Sequence, residues 1–173
     1  SDIGCIIWIY FLCHCICGKY TFFSLADGAL VANSDSATTK WDIGFRGTTI
    51  ITNSGTSGPG AGGAFVQIGV FADIAAVSND STFKTDAAPN YAITTGSNKG
   101  WYVYDGPNNL VTPIPGRVLM IRTATGKYAK LEISNYYKGG VTPAVTASDN
   151  IKLTEQRYFT FRYTYQANGS KSF

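Results

Sequence analysis

The strongest nucleophiles and metal ligands in this 173-residue chain are one histidine, His14, and four cysteines, Cys5, Cys13, Cys15 and Cys17, all within the first seventeen residues. A Ser-His-Asp or Cys-His centre would have to recruit that segment, because the rest of the chain offers no imidazole as base. Cys13-His14-Cys15-Ile16-Cys17 carries soft ligands, yet neighbours in an extended chain point to opposite faces and the spacing matches no paired zinc hairpin. No metal site and no catalytic residue are assigned, and the chain is expected not to be an enzyme.

The acidic residues stand mostly isolated among apolar or small neighbours. Asp42, inside Trp41-Asp42-Ile43, reads as a structural hydrogen-bond acceptor rather than a general acid. A glycosidase-type carboxylate pair needs only spatial proximity, so the sequence leaves that option open. The eleven tyrosines are different. Phenols can line a ligand site, stack on a planar ligand or bind ferric iron, although most serve as amphipathic sheet residues. Residues 55–63 (GTSGPGAGG) have the glycine density of a nucleotide loop, but they lack the Gly-Lys-Ser/Thr ending and open no helical pattern. They read as a flexible or tightly turned loop.

The elements that must position these groups are strands. Charged residues make up 14% of the chain and aromatics another 14%, with nineteen glycines, a balance that favours strands and turns. Strand-like runs between turn signals cover residues 20–25, 41–46, 48–52, 64–71, 101–104, 118–122, 128–133 and 158–165. The clearest period of two lies in 157–165, where Phe159, Phe161, Tyr163 and Tyr165 share one face and Thr160, Arg162 and Thr164 the other. That pattern predicts a half-buried antiparallel strand. Residues 118–122 and 128–133 flank Thr123-Ala124-Thr125-Gly126-Lys127 and predict a hairpin with Gly126 at positive φ, which makes Leu119 and Met120 core or sheet-face residues. Segments 73–99 and 105–116 are long loops, and loops on a β scaffold are where binding usually resides.

The net charge of +3 comes from scattered residues and forms no dense basic stripe, so nucleic acid is not an expected partner. Residues 5–17 are apolar or weakly polar and lack a basic flank, and they fall short of the about 20 residues that span a bilayer. They read as a partial signal-peptide core, a buried first strand, or a stretch unreliable as written. The chain therefore divides into an atypical Cys-rich apolar segment, 1–18, and one all-β domain, 19–173.

An ordered set of residues runs through that domain: Tyr20-Thr21-Phe22-Phe23-Ser24-Leu25, Lys40-Trp41-Asp42-Ile43-Gly44-Phe45-Arg46, Asn53-Ser54-Gly55-Thr56-Ser57-Gly58, Gly100-Trp101-Tyr102-Val103-Tyr104, Arg117-Val118-Leu119-Met120-Ile121-Arg122 and Phe159-Thr160-Phe161-Arg162-Tyr163-Thr164-Tyr165. In this order it resembles the HmuY-type haem-binding lipoproteins of Bacteroidetes. The resemblance implies a single antiparallel β domain whose projecting hairpin loops grip a haem, with one axial ligand from each of two loops. It also implies display on the outer-membrane surface through a lipidated Cys, with an outer-membrane transporter as partner.

The ligands do not carry over. Relatives use His or Met, whereas here Asp105 stands before Gly106-Pro107, where one ligand is expected, and segment 73–99 contains neither type. Met120 falls in the strand matching the family's core strand. The candidate contacts for haem or another planar ligand are therefore Tyr91, Tyr104 and Asp105 as oxygen donors, with Leu110, Val111 and Ile114 covering a porphyrin face. The competing expectations are an accessory subunit of a transport assembly without haem binding and, from exposed aromatics on a β scaffold, a carbohydrate-binding domain.

Overall fold

The structure is a computed structural model that describes residues 7–12, 18–78 and 83–173. The cysteine and histidine cluster of residues 13–17 lies outside the described residues.

Among the described residues, eleven strands form two antiparallel sheets and a separate ribbon: β1 (Ile7–Leu12), β2 (Thr21–Ser24), β3 (Ala29–Val31), β4 (Ile43–Arg46), β5 (Thr49–Thr52), β6 (Gly63–Ile68), β7 (Tyr102–Asp105), β8 (Leu110–Pro113), β9 (Arg117–Arg122), β10 (Tyr128–Tyr137) and β11 (Gln156–Gln166). One sheet has the order β1-β11-β10-β9-β6, the other β3-β2-β4-β5, and β7 pairs only with β8. The expected all-β, antiparallel class is what the chain adopts. Residues Ile7–Leu12, for which a buried first strand was one reading, pair along β11 from Ile7 opposite Tyr163 to Leu12 opposite Tyr158.

The two sheets face each other across one aromatic core. Phe23 and Phe45 from the smaller sheet meet Phe161 and Phe159 from the larger, with ring centroids 5.5 Å apart for Phe23–Phe161 and 4.6 Å for Phe45–Phe159. Edge-to-face and tilted pairs of this kind add to the stabilisation from area burial alone. The period of two in β11 thus points its Phe and Tyr face inward. The other face is not open as predicted: Thr160 and Thr164 are buried too. The outer side of the larger sheet carries its own apolar layer, Phe71, Ile74, Val77, Val118 and Met120, with Phe65, Phe83, Tyr128 and Phe173 packed against it.

The hairpin between β9 and β10 has the predicted turn, with Gly126 at φ 78°. Strands β3 and β8 and the seven-residue helix α1 (Asp149–Glu155) were not expected. β8 ends on Pro113 in a two-stranded ribbon, where the missing N–H is tolerated. α1 starts at Ser148, whose hydroxyl accepts from the Ile151 amide, and is too short to show a helical period.

Candidate functional site

The loop ahead of β7 is tied down by a buried carboxylate. Asp86 accepts the Thr52 amide at 2.9 Å and the Ala92 amide at 2.8 Å, while its own amide donates to the Ser54 hydroxyl at 3.0 Å. Its carbonyl takes the Thr56 amide at 3.0 Å. Gly55, at φ 52°, lies so close that a Cβ there would collide with that carbonyl, which explains one glycine of the 55–63 run. The run opens as a tight structural turn packed on the Asp86 backbone. Asp42 plays a matching part: it accepts from the Leu25 and Ala124 amides at 2.8 and 2.9 Å, although burial pushes its carboxyl above the usual range.

Fixed in this way, loop 83–95 encloses a cavity of about 350 Å³ lined by Lys84, Thr85, Ala87, Pro89, Asn90, Tyr91, Thr94 and Thr95. Tyr91 packs on the cluster of Phe22, Trp41 and Ile51, which also holds Tyr20 and Val31. The ring at the cavity wall therefore stands on a rigid floor. Arg46 lies over the Tyr20 ring at 4.3 Å. Burial pushes the Tyr20 phenol up to about 12, with Tyr91 and Asp86 acting in the same direction and Arg46 opposing.

Two residues beyond the cavity wall, the Ser97 hydroxyl accepts the Tyr104 amide at 2.8 Å, so segment 94–97 adjoins both the cavity and the β7–β8 hairpin. The hairpin places Tyr104 opposite Val111 and Asp105 opposite Leu110. Val103 and Tyr104 are 39% and 46% exposed, whereas Leu110 and Val111 are only 6% and 7% exposed. These last two belong to the main core and support the hairpin from beneath instead of presenting a free apolar face, because their strand packs on β10 and the Val111 amide donates to the Tyr137 hydroxyl at 2.8 Å. Ile114 is half-buried, its amide donating to the Trp101 carbonyl at 2.9 Å.

The hairpin tip is also latched from outside. The Lys152 ammonium of α1 donates to the Asn108 carbonyl at 2.7 Å and the Val145 carbonyl at 2.9 Å, and the Asn109 side chain donates to Asp149 at 3.0 Å. Sequence reasoning missed Lys84, Asp86 and Lys152. An isolated Lys or Asp carries no period and no motif, and the Ser148 cap of a helix of about two turns was the one local signal for α1.

The donors present do not fit a haem held by two axial side chains. Met120 is fully buried among Phe71 and Val118 on the outer layer of the larger sheet. Asp105 turns its carboxylate into its own turn, accepting from the Asn108 side chain at 2.8 Å and the Asn108 amide at 3.4 Å. The Tyr104 hydroxyl donates to the Asn109 side chain at 2.8 Å. Tyr91 is the remaining expected oxygen donor, and it stands at the cavity, apart from the hairpin pair.

The sequence matches the family model described as HmuY protein over residues 18–148. No curated protein matches it. Among solved structures, it is similar to the apo HmuY analogue of Tannerella forsythia, at TM-score 0.62 and 14% identity over 96% of this chain and 99% of that one. A protein described as a candidate HmuY-like heme-binding protein from Bacteroides vulgatus gives TM-score 0.60 and 16% identity over 92% and 91%. A candidate lipoprotein from Bacteroides fragilis gives 0.62 and 14% over 95% and 91%. These likenesses reproduce the fold, and the family match spans well over half of the chain; the chain belongs to the HmuY family.

Proposed function

We propose that this chain is a non-enzymatic binding protein of the outer-membrane surface that takes a planar, carboxylate-bearing ligand of the haem class between loop 83–95 and the adjoining β7–β8 hairpin. The observation that carries this reading is the cavity itself: a flat phenol ring on an aromatic floor and, among the described residues of the lining, one cation, Lys84, and no acid. The described heme binding of the Bacteroides vulgatus relative supports the cargo, and the candidate lipoprotein from Bacteroides fragilis supports the surface anchor. Tyr91 forms the cavity wall, the exposed Tyr104 faces the ligand from the adjoining hairpin, Leu110 and Val111 hold that hairpin from beneath with Ile114 half-buried after it, and Asp105 shapes its turn. An outer-membrane transporter is the partner that would receive such a cargo.

A haemin titration followed by its visible spectrum tests the assignment. Saturable binding without the sharp low-spin bands of bis-His or bis-Met haem is expected, and Tyr91→Ala should weaken it about tenfold, since base-like stacking on an aromatic is worth ~1–3 kcal/mol. The second reading, an accessory subunit of a transport assembly, is favoured by the lack of His and Met in both loops. A spectrum unchanged on titration, with no quenching of tryptophan fluorescence, would favour that reading over the first.

A further inference from the structure

Resting on the binding reading above, we infer that this site recognises the tetrapyrrole ring and its carboxylates and not the metal at its centre, so that metal-free and zinc-filled porphyrins bind as well as haemin. A preference for iron requires a donor that can reach the metal along the ring normal. Of the oxygen donors near the site, Asp105 is turned towards Asn108 and the Tyr104 hydroxyl towards Asn109, while Tyr91 packs on the Phe22, Trp41 and Ile51 floor as the stacking wall, so that its oxygen would lie beside the porphyrin and not on the ring normal.

What the site does offer acts on the ring and its periphery. Tyr91 and Pro89 give the cavity a flat wall backed by Trp41, and the exposed Val103 and Tyr104 carry apolar surface on the neighbouring hairpin. Stacking and apolar burial scale with contact area and read no metal. Among the described residues, Lys84 is the only charged side chain in the cavity lining, and an ammonium there attracts a carboxylate whether or not the ring holds iron. A metal-bound ring and an empty one share these contacts.

Quenching of tryptophan fluorescence in the full chain measures the affinities of haemin, zinc protoporphyrin and protoporphyrin IX side by side. The three are expected to agree within about threefold, a difference of ~0.6 kcal/mol. Tyr91→Phe, which keeps the ring and removes the oxygen, should move the three affinities together, with no loss confined to haemin. Lys84→Gln should weaken each about threefold, in keeping with an exposed ion pair, and should have no effect on the porphyrin dimethyl ester. Haemin binding more than about tenfold tighter than the empty ring, with that advantage lost in Tyr91→Phe, would show a phenolate on iron and overturn the inference while leaving the binding reading intact. Failure of all three rings to bind would overturn both.

Discussion

At the scale of single residues, the side chains that matter most are structural acceptors and one shielded phenol. Tyr20 lies between Phe22 and the Arg46 guanidinium, and its phenol is pushed up from 10.0 to about 12, chiefly by burial. The folded protein therefore keeps this proton where the unfolded chain has already lost it, so stability falls as pH climbs from 10.0 towards about 12. Denaturation midpoints of the wild type and Tyr20→Phe at about pH 9 and about pH 11 should show a smaller alkaline loss for the variant; equal losses would place the slope elsewhere. Asp42 was legible in the sequence as an acceptor because a carboxylate inside an apolar run must be satisfied internally. Asp86, which does the same for the candidate site, was not, since its partners Thr52, Ser54 and Ala92 lie up to 34 residues away in sequence.

At the scale of elements, strand periodicity and turn chemistry were readable wherever one residue type repeats every second position. β11 and the β9–β10 hairpin followed directly. The β7–β8 hairpin was half legible, because Trp101 to Tyr104 signalled a strand whereas the prolines of 105–116 masked its partner. Its attachment to α1 was invisible, as a lysine reaching two carbonyls leaves no pattern. Lys152 is 4% exposed, so its two hydrogen bonds act in a dry setting. Lys152→Met keeps the aliphatic stem but strands both carbonyls, at a cost of about 1–3 kcal/mol. Hydrogen exchange should then accelerate at the β7–β8 hairpin amides and stay unchanged at the β9–β10 hairpin. A uniform acceleration across both would mean that Lys152 supports the whole fold and not this latch.

At the scale of the whole molecule, the class was set by composition and punctuation, but the facing of the two sheets depends on which aromatics meet across the core. The sequence places Phe45 in a strand-like run and Phe159 on the aromatic face of another; it does not show that they touch. Their rings lie 4.6 Å apart at 46°, joining the sheet of β2–β5 to that of β9–β11. If this contact welds the sheets into one cooperative unit, removing either ring should lower a single unfolding transition. Phe45→Ala and Phe159→Ala should each cost about 3–5 kcal/mol, by lost burial and the cavity left behind. The double variant should cost less than the sum by about 0.5–1.5 kcal/mol, the part belonging to the ring pair itself. Calorimetry reads both quantities at once. Additive losses would show that the rings stabilise their own sheets separately, and a second transition would show that the sheets unfold as independent units. Loop 83–95 is tied to β5 of one sheet through Asp86 and to β6 of the other through the Lys84 and Ala64 backbones, so a molecule that separates between sheets would also lose one anchor of the proposed cavity. The cooperativity measured at Phe45 and Phe159 therefore bears on how firmly the ligand site is held in advance of binding.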